Sequence, residues 1–274
     1  MEYITQIQEI ARLAGAEAMK YFNHIKENAV SCKGTPKDIV STADKAVETL
    51  IASEIRKRFP GHGMYGEEYG HRDQDSPFCW VVDPIDGTQS FVHGHPFFCI
   101  SIALKENGTT VAGCVFAPRL GMMFSAERGK GAFEDGRPIH VSGCDKLSSA
   151  VVATGFACLR AGLKKNNMPI IDRVFPVAQD IKRCGSAALD LCFVAAGRVD
   201  VYWEIALKEY DVAAGALIAS EAGAVVLDMN GGTNYPSEGI LCTNAPLVPV
   251  MLEHFREALG TVDPSLLFET EKQL

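Results

Sequence analysis

The segment that most constrains this chain is residues 83–88, Asp-Pro-Ile-Asp-Gly-Thr, which directly follows the apolar, β-branched run at 79–83. That run predicts a short buried strand. The proline after Asp83 disfavours helical backbone at the residue before it, so we expect Asp83 to stay extended at the end of the strand. Gly87 can adopt backbone conformations closed to other residues, and a turn there can direct the amides of Gly87 and Thr88 outward towards an anion.

The two carboxylates of this turn, Asp83 and Asp86, are compatible with two roles. They can converge on a hard cation with the carbonyl of Ile85 between them, because Mg²⁺ prefers oxygen ligands and keeps waters and substrate phosphate as the others. They can equally cap the strand, because Asp-Pro and Asp-Gly are common turn dipeptides. Further acids occur in residues 64–68, Met-Tyr-Gly-Glu-Glu, and at Asp211 in the first turn of a Gly/Ala-rich helix. An aspartate there is an ordinary N-cap, although a helix start also suits phosphate.

The apolar residues alternate between helical and strand spacing along the chain. Helical spacing over 4–22 and 42–59 predicts two helices, and Pro-Gly at 60–61 ends the second. Further strands are predicted at 98–104, 111–117, 122–126, 151–154, 199–204, 225–227 and 240–242, with a hairpin turn at Asn107-Gly108. Further helices are predicted at 186–196, 212–222 and 247–259. We therefore predict a layered α+β fold whose sheets are covered by helices, with 1–274 as one domain divisible into subdomains of about 1–145 and 146–274.

Charge and composition exclude several classes of function. The chain has 26 Lys+Arg against 34 Asp+Glu, a formal net charge of −8, and no basic cluster. This argues against nucleic-acid and anionic-membrane partners, which need a positive surface. There is no uninterrupted apolar run of the ~18 residues that a membrane span needs, and the charged start is unlike a secretory signal. The nine cysteines contain no Cys-x-x-Cys pair, so we expect reduced thiols and a cytoplasmic protein.

Several motifs, in one fixed order, resemble the inositol monophosphatase family. They are Lys-Gly-Thr-Pro at 33–36, Ser-Thr-Ala-Asp at 41–44, Gly-Glu-Glu at 66–68, Trp-Val-Val-Asp-Pro-Ile-Asp-Gly-Thr at 80–88, Phe-Val-His-Gly-His-Pro at 91–96, Ser-Ile-Ala-Leu at 101–104, Gly-Ser-Ala-Ala at 185–188, Tyr-Asp-Val-Ala-Ala-Gly at 210–215 and Glu-Ala-Gly at 221–223. The resemblance covers nearly the whole chain. It implies the layered αβαβα sandwich of the inositol monophosphatase and sugar phosphatase type, and Mg²⁺-dependent hydrolysis of a small phosphate monoester.

The resemblance also implies a role for each matching residue. The ligands of two or three Mg²⁺ ions would be Glu67, Asp83, the Ile85 carbonyl, Asp86 and Asp211. The catalytic residues would be Glu67 with Asp44 and Thr88, the last two polarising the attacking water. The substrate would contact Asp86, Gly87, Thr88, Ala187, Glu204 and Asp211, with the Gly87 and Thr88 amides on the phosphate and Ala187 and Glu204 on the inositol ring. Lys33 matches a lysine of the family's mobile loop near the metals. The sequence departs from the family pattern at Gln89-Ser90, Tyr210 and Ala224, and Tyr210 can reshape the wall around the substrate.

The substrate and the class of function both have alternatives. The favoured substrate is myo-inositol 1-phosphate, while fructose 1,6-bisphosphate, adenosine 3′,5′-bisphosphate and NADP are the substrates of sister groups with the same metal core. A regulatory protein that binds the transcription machinery is the alternative of another class. A homodimer and inhibition by Li⁺ are further implications of the resemblance. His93 and His95 lack a third ligand at metal spacing, so we expect loop histidines there and no zinc site.

Overall fold

The structure is a computed structural model that describes residues 3–22, 36–72 and 75–260, with the side chains of 36–41 not described. The helices are α1 (Tyr3–Phe22), α2 (Pro36–Arg58), α3 (Thr88–Val92), α4 (Ala157–Arg160), α5 (Met168–Val174), α6 (Ala187–Ala195), α7 (Glu209–Glu221) and α8 (Val248–Leu259). The strands are β1 (Gly63–Gly66), β2 (Gly70–Arg72), β3 (Phe78–Asp86), β4 (Cys99–Glu106), β5 (Thr109–Ala117), β6 (Met122–Glu127), β7 (Ala132–Glu134), β8 (Arg137–Ile139), β9 (Val151–Thr154), β10 (Asp180–Lys182), β11 (Val201–Glu204), β12 (Val225–Leu227) and β13 (Ile240–Thr243). They form an eight-stranded sheet, in the order β2-β1-β3-β4-β5-β6-β7-β8, and a five-stranded sheet, in the order β10-β9-β11-β13-β12.

The eight-stranded sheet is covered on both faces, and β3 shows why. Successive side chains of a strand point to opposite faces. Trp80 and Val82 pack with Ile7 of α1 and Val47 of α2, whereas Val81 packs in the cluster that includes α6 and α7. The sequence of the strand is therefore a continuous apolar run, because helices bury both of its faces.

The five-stranded sheet is buried in the same way between two helical layers. Ala153 and Tyr202 face the α6–α7 layer, and Val152 and Trp203 face the opposite side, where Phe255 of α8 joins residues of α5. The layers therefore run α1–α2, large sheet, α6–α7, small sheet, α5–α8. This confirms the predicted α+β class and the αβαβα sandwich.

Two expected boundaries are wrong. The strand predicted to end at Asp83 continues to Asp86, with an irregular register against β4 between these two residues. Proline has no N–H to donate to the hydrogen bonds between strands, and a proline within a strand typically lies at a bulge. The helix predicted from residue 42 begins at Pro36, since proline is favoured at the first helical position.

The predicted hairpin turn is confirmed. The β4–β5 hairpin turns at Asn107 and Gly108, which have φ values of 49° and 80°, as a tight two-residue turn requires. The eight cysteines among the described residues are free thiols. Within the same described part of the chain, no helix is both long enough and apolar enough to span a membrane.

Candidate active site

The acids found in the sequence meet at one edge of the large sheet, where β1 and β3 end side by side. The two strands are parallel, so residues that follow them lie at the same edge. The amide of Glu67, directly after β1, donates to the carbonyl of Val82 in β3 at 3.2 Å. This places Glu67 beside Asp83.

Three aspartates from two elements form a compact oxygen cluster. One carboxylate oxygen each from Asp83, Asp86 and Asp211 lies within 4.8 Å of the others. Asp211 is the third residue of α7, and its Oδ2 accepts a hydrogen bond from the Lys208 amide at 2.5 Å. The N-cap of α7 is Lys208, so the interpretation of Asp211 as an N-cap is wrong. Asp211 instead binds the N-cap amide from the first turn of the helix, and it also faces the cluster.

The Asp86 carboxylate is held by the start of α6. Its Oδ2 accepts hydrogen bonds from Ser186 Oγ at 2.6 Å and from the Ala188 amide at 2.7 Å. Ser186 is also the N-cap of α6, since its Oγ accepts from the Leu189 amide at 3.3 Å. The Ala187 amide also hydrogen-bonds this carboxylate, so the start of α6 fixes the side chain beside Asp83 and Asp211. The sequence marks Ser186 only as part of a motif, and its contact with Asp86 spans 100 positions.

The turn after β3 has the geometry predicted for it. Gly87 has φ 95° and precedes α3. A Cβ at this position would lie 2.6 Å from the carbonyl oxygen of Phe97, so both backbone conformation and space require glycine. Thr88 begins α3, and its Oγ1 donates to the carbonyl of Ile85 at 3.2 Å. The Ile85 side chain is fully buried in the core, which anchors this carbonyl at the site.

The site is a set of acids that repel one another. Burial, followed by Glu67 and Glu68, raises the pKa of Asp44 to about 8. Partial burial raises the pKa of Glu67 to about 7. Burial is also the main cause that raises the pKa of Asp83 and of Asp211 well above the usual range, with neighbouring acids adding to it.

These acids fit the ligand set of a hard divalent cation. Asp44 is only 4% exposed, and among the described residues its Oδ1 has no hydrogen-bond partner. An unpaired carboxylate oxygen inside a protein is costly unless a cation or a donor satisfies it. The donor set is all oxygen, as Mg²⁺ prefers.

A cavity of about 250 Å³ adjoins the cluster. The cavity is lined by acidic and by basic side chains, among them Glu67, Asp86, Glu204, Asp211, Arg160, Arg183 and Lys208, and also by Ala187 and Tyr210. Glu204 Oε1 accepts from the Ala157 amide at 2.9 Å and Oε2 from the Tyr202 hydroxyl at 2.8 Å, and burial raises its pKa. A larger cavity of about 310 Å³ beside Lys105 is lined by none of the clustered acids.

The structure thus brings together nearly all of the residues singled out from the sequence. Lys33 lies outside the described residues. His93 and His95 are both exposed, and neither belongs to a potential metal cluster in the described residues. The sequence interpretation missed Glu48, a fully buried acid that holds the segment after Glu67. Its position one turn after Asp44 on the same helix was the available indication.

Comparison with known proteins decides the family. Residues 1–259 match the Inositol monophosphatase family. The chain belongs to this family. It is 42% identical over 248 residues to the Nus factor SuhB of Vibrio cholerae, covering 88% of this chain and 93% of that protein. It is 39% identical over 254 residues to the Inositol-1-monophosphatase of Mesorhizobium japonicum, covering 92% and 95%.

A solved structure agrees with these relatives. The Inositol monophosphatase from Anabaena (Nostoc) sp. PCC 7120 superposes with a TM-score of 0.82 at 35% identity, covering 96% of each chain. Membership of the family supports phosphatase activity. The aspartate cluster agrees with the general Mg²⁺ dependence of inositol monophosphatases.

Proposed function

We propose that this inositol monophosphatase family member hydrolyses a small phosphate monoester with Mg²⁺, and that its substrate is myo-inositol 1-phosphate. The observation that carries the proposal is the convergence of Asp83, Asp86 and Asp211 within 4.8 Å, beside a cavity of about 250 Å³. A polyol phosphate needs both parts, since its phosphate requires cations and its ring requires a walled pocket.

In this proposal five groups hold two or three Mg²⁺ ions: the carboxylates of Glu67, Asp83, Asp86 and Asp211 and the carbonyl of Ile85. When bound, the ions supply positive charge that acidifies the attacking water and neutralises the phosphate and the leaving oxygen. Burial raises the pKa values of all four carboxylates, so bound cations would favour their charged forms.

Asp44 and Thr88 orient the water, and the turn after β3 binds the phosphate. The Thr88 hydroxyl donates a hydrogen bond to the Ile85 carbonyl, so its lone pairs can accept a hydrogen bond from water. Asp44 Oδ1 accepts no hydrogen bond from the described residues and can take the proton that the water loses. The amides of Gly87 and Thr88 are the proposed donors to the phosphate oxygens.

Ala187 and Glu204 form the proposed wall for the ring. Two protein donors fix the Glu204 carboxylate, and its remaining lone pairs can accept hydrogen bonds from hydroxyl groups. Asp86 and Asp211 also line the cavity and can contact the hydroxyls next to the phosphate.

The test is a comparison of kcat/KM for four substrates with Mg²⁺: myo-inositol 1-phosphate, fructose 1,6-bisphosphate, adenosine 3′,5′-bisphosphate and NADP. We expect the inositol ester to have the highest value. We also expect Glu204→Gln to raise KM for it while hydrolysis of a generic aryl phosphate changes little. A nucleotide as the best substrate would overturn the assignment of the polyol.

A second function is favoured by the names of relatives. Several proteins about 40% identical to this chain, from Vibrio cholerae and from Pasteurella multocida among others, are named Nus factor SuhB. We infer a regulatory role in which the same fold binds the transcription machinery. Retention of RNA polymerase by the tagged protein, measured on a preparation also assayed for phosphatase, tests it. Absence of retention at micromolar concentration contradicts this second role and leaves the first unaffected.

We also propose a homodimer. Four exposed apolar side chains lie on or near α4 and α5, namely Leu159, Met168, Phe175 and Val177, with exposed fractions of 41–53%. Exposed apolar side chains that form one patch often mark an interface, and we propose that these four do so. Light scattering after size exclusion should give twice the mass of 29.6 kDa, and Phe175→Asp should shift it towards the monomer. A monomeric wild-type protein contradicts this proposal.

A further inference from the structure

Helix α2 contains a second acid, Glu48, one turn after Asp44. Glu48 is fully buried, and its carboxylate reaches the segment that follows β1. Its Oε2 accepts from the Glu68 amide at 2.8 Å and its Oε1 from the Tyr69 amide at 3.2 Å. A single carboxylate therefore holds the two amides that come directly after Glu67.

Gly66 packs so closely against the same carboxylate that there is no space for a side chain. A Cβ on Gly66 would lie 2.1 Å from Glu48 Oε1 and 2.4 Å from Glu48 Cδ. Its backbone is not in the positive-φ region, so space, not conformational freedom, requires a glycine there. Contacts with Glu48 consequently flank Glu67 on both sides, while the Glu67 amide is held by the Val82 carbonyl.

We propose that Glu48 is a positioning residue for the metal site, acting through Glu67. It fixes the turn at residues 66–69 so that the Glu67 carboxylate faces Asp83. Since Glu48 and Asp44 lie on one helix, it also sets the distance between Asp44 and this turn. The inference rests on the proposed function, because it assumes that Glu67 is a ligand of Mg²⁺. Partners that orient metal ligands typically contribute about 10–100-fold in metal affinity or activity.

Glu48→Gln is the informative substitution because it preserves the volume of the side chain. An amide offers one acceptor oxygen and one N–H₂ group, so either Glu68 N–H or Tyr69 N–H would face another donor. We expect the Mg²⁺ concentration for half-maximal activity to rise about 10-fold or more. At saturating Mg²⁺, kcat and the KM for the phosphate ester should return to within about 3-fold of wild type.

Two readouts do not depend on activity. The Mg²⁺ concentration that gives half of the maximal rise in melting temperature should increase by the same factor as in the kinetic assay. Amide hydrogen exchange at residues 66–69 of the metal-free protein should become faster in the variant, because the protecting acceptor is lost. Glu54→Gln is the matched control on the same helix. It loses its part-buried ion pair with Arg58, at 2.9 Å, and a longer one with Lys57, at 3.9 Å, and neither involves residues 66–69.

Gly66→Ala provides an independent second variant, because its Cβ displaces the Glu48 carboxylate without removing it. It should shift the Mg²⁺ dependence as Glu48→Gln does, and the double variant should be no worse than the poorer single one. If Glu48→Gln does not fold, Gly66→Ala makes the same prediction.

The inference is overturned if Glu48→Gln lowers kcat or melting temperature equally at all Mg²⁺ concentrations, since that is the behaviour of a residue that only stabilises the fold. Unchanged exchange at residues 66–69 also overturns it. If the proposed function itself is wrong, the experiments give a different result. In that case the wild-type protein hydrolyses none of the phosphate esters, while thermal titration with Mg²⁺ and hydrogen exchange still report on Glu48.

Discussion

Asp86→Asn tests the metal site while preserving the packing around it. The wild-type Oδ2 accepts from Ser186 Oγ and from the Ala188 amide, and the carbonyl oxygen of an asparagine can accept both bonds. The amide nitrogen then replaces Oδ1 and points its N–H groups towards Asp83 and Asp211. The anchor to α6 survives, but a ligand oxygen and its charge are gone.

The expected effects on rate and on stability have opposite signs. An N–H₂ group cannot ligate Mg²⁺, and loss of several kcal/mol of transition-state stabilisation reduces turnover by about 1000-fold or more, at about 1.4 kcal/mol per factor of ten. Burial raises the pKa of Asp86, so ionising it inside the fold costs free energy that the asparagine does not. The melting temperature of the metal-free variant should therefore equal or exceed that of the wild type.

Mg²⁺ titration followed by thermal unfolding separates these effects. Wild-type protein at a hundred times the dissociation constant gains about 2.7 kcal/mol of stability, and Asp86→Asn should lose most of that gain. Asp75→Asn is the control, because Asp75 is exposed and should change neither turnover nor Mg²⁺ stabilisation. If Asp86→Asn retains near-normal turnover, or loses it only by unfolding, the turn after β3 is structural and the site assignment is wrong.

Three further predictions concern the ions and the protons of the site. Excess chelator should abolish turnover, since every proposed ligand is oxygen, and full activity without divalent ions would exclude the metal mechanism. Li⁺ should inhibit, because a small monovalent cation can occupy a carboxylate site without supplying the charge for catalysis. Initial rates measured over a series of Li⁺ concentrations at fixed Mg²⁺ test this. An enzyme that is indifferent to high Li⁺ would belong with one of the less sensitive sister groups. In metal-free protein, the pKa values of about 8 for Asp44 and about 7 for Glu67 exceed those of the unfolded chain, so the folded state binds more protons between about pH 4 and pH 8. The melting temperature of the metal-free protein should fall as pH rises through that window, and Mg²⁺ should restore more stability at pH 8 than at pH 6. A melting temperature that rises over the same range contradicts the raised pKa values.

The chain of contacts that supports the metal ligands was not accessible from the sequence. Ser186 and Asp86 are 100 positions apart, and Glu48 and Glu68 are 20 apart on different elements. No local pattern relates such pairs, because their contact depends on how the helices pack on the sheet. The start of α2 at Pro36 and the register shift in β3 were also missed, although local properties of proline account for both.

The sequence by itself determined the layered α+β class and the turn after β3, and its resemblance to the family named the acids that we propose for the site. The first two depend on local chemistry, namely the alternation of apolar residues and the special backbone of Gly87. Only the tertiary structure decided that Asp83, Asp86 and Asp211 meet within 4.8 Å, that the start of α6 holds one oxygen of Asp86, and that Glu48 holds the turn of Glu67. The reason is physical: the cost of gathering these acids is met by hydrophobic packing of the layers that carry them, a property of the whole fold and not of any segment.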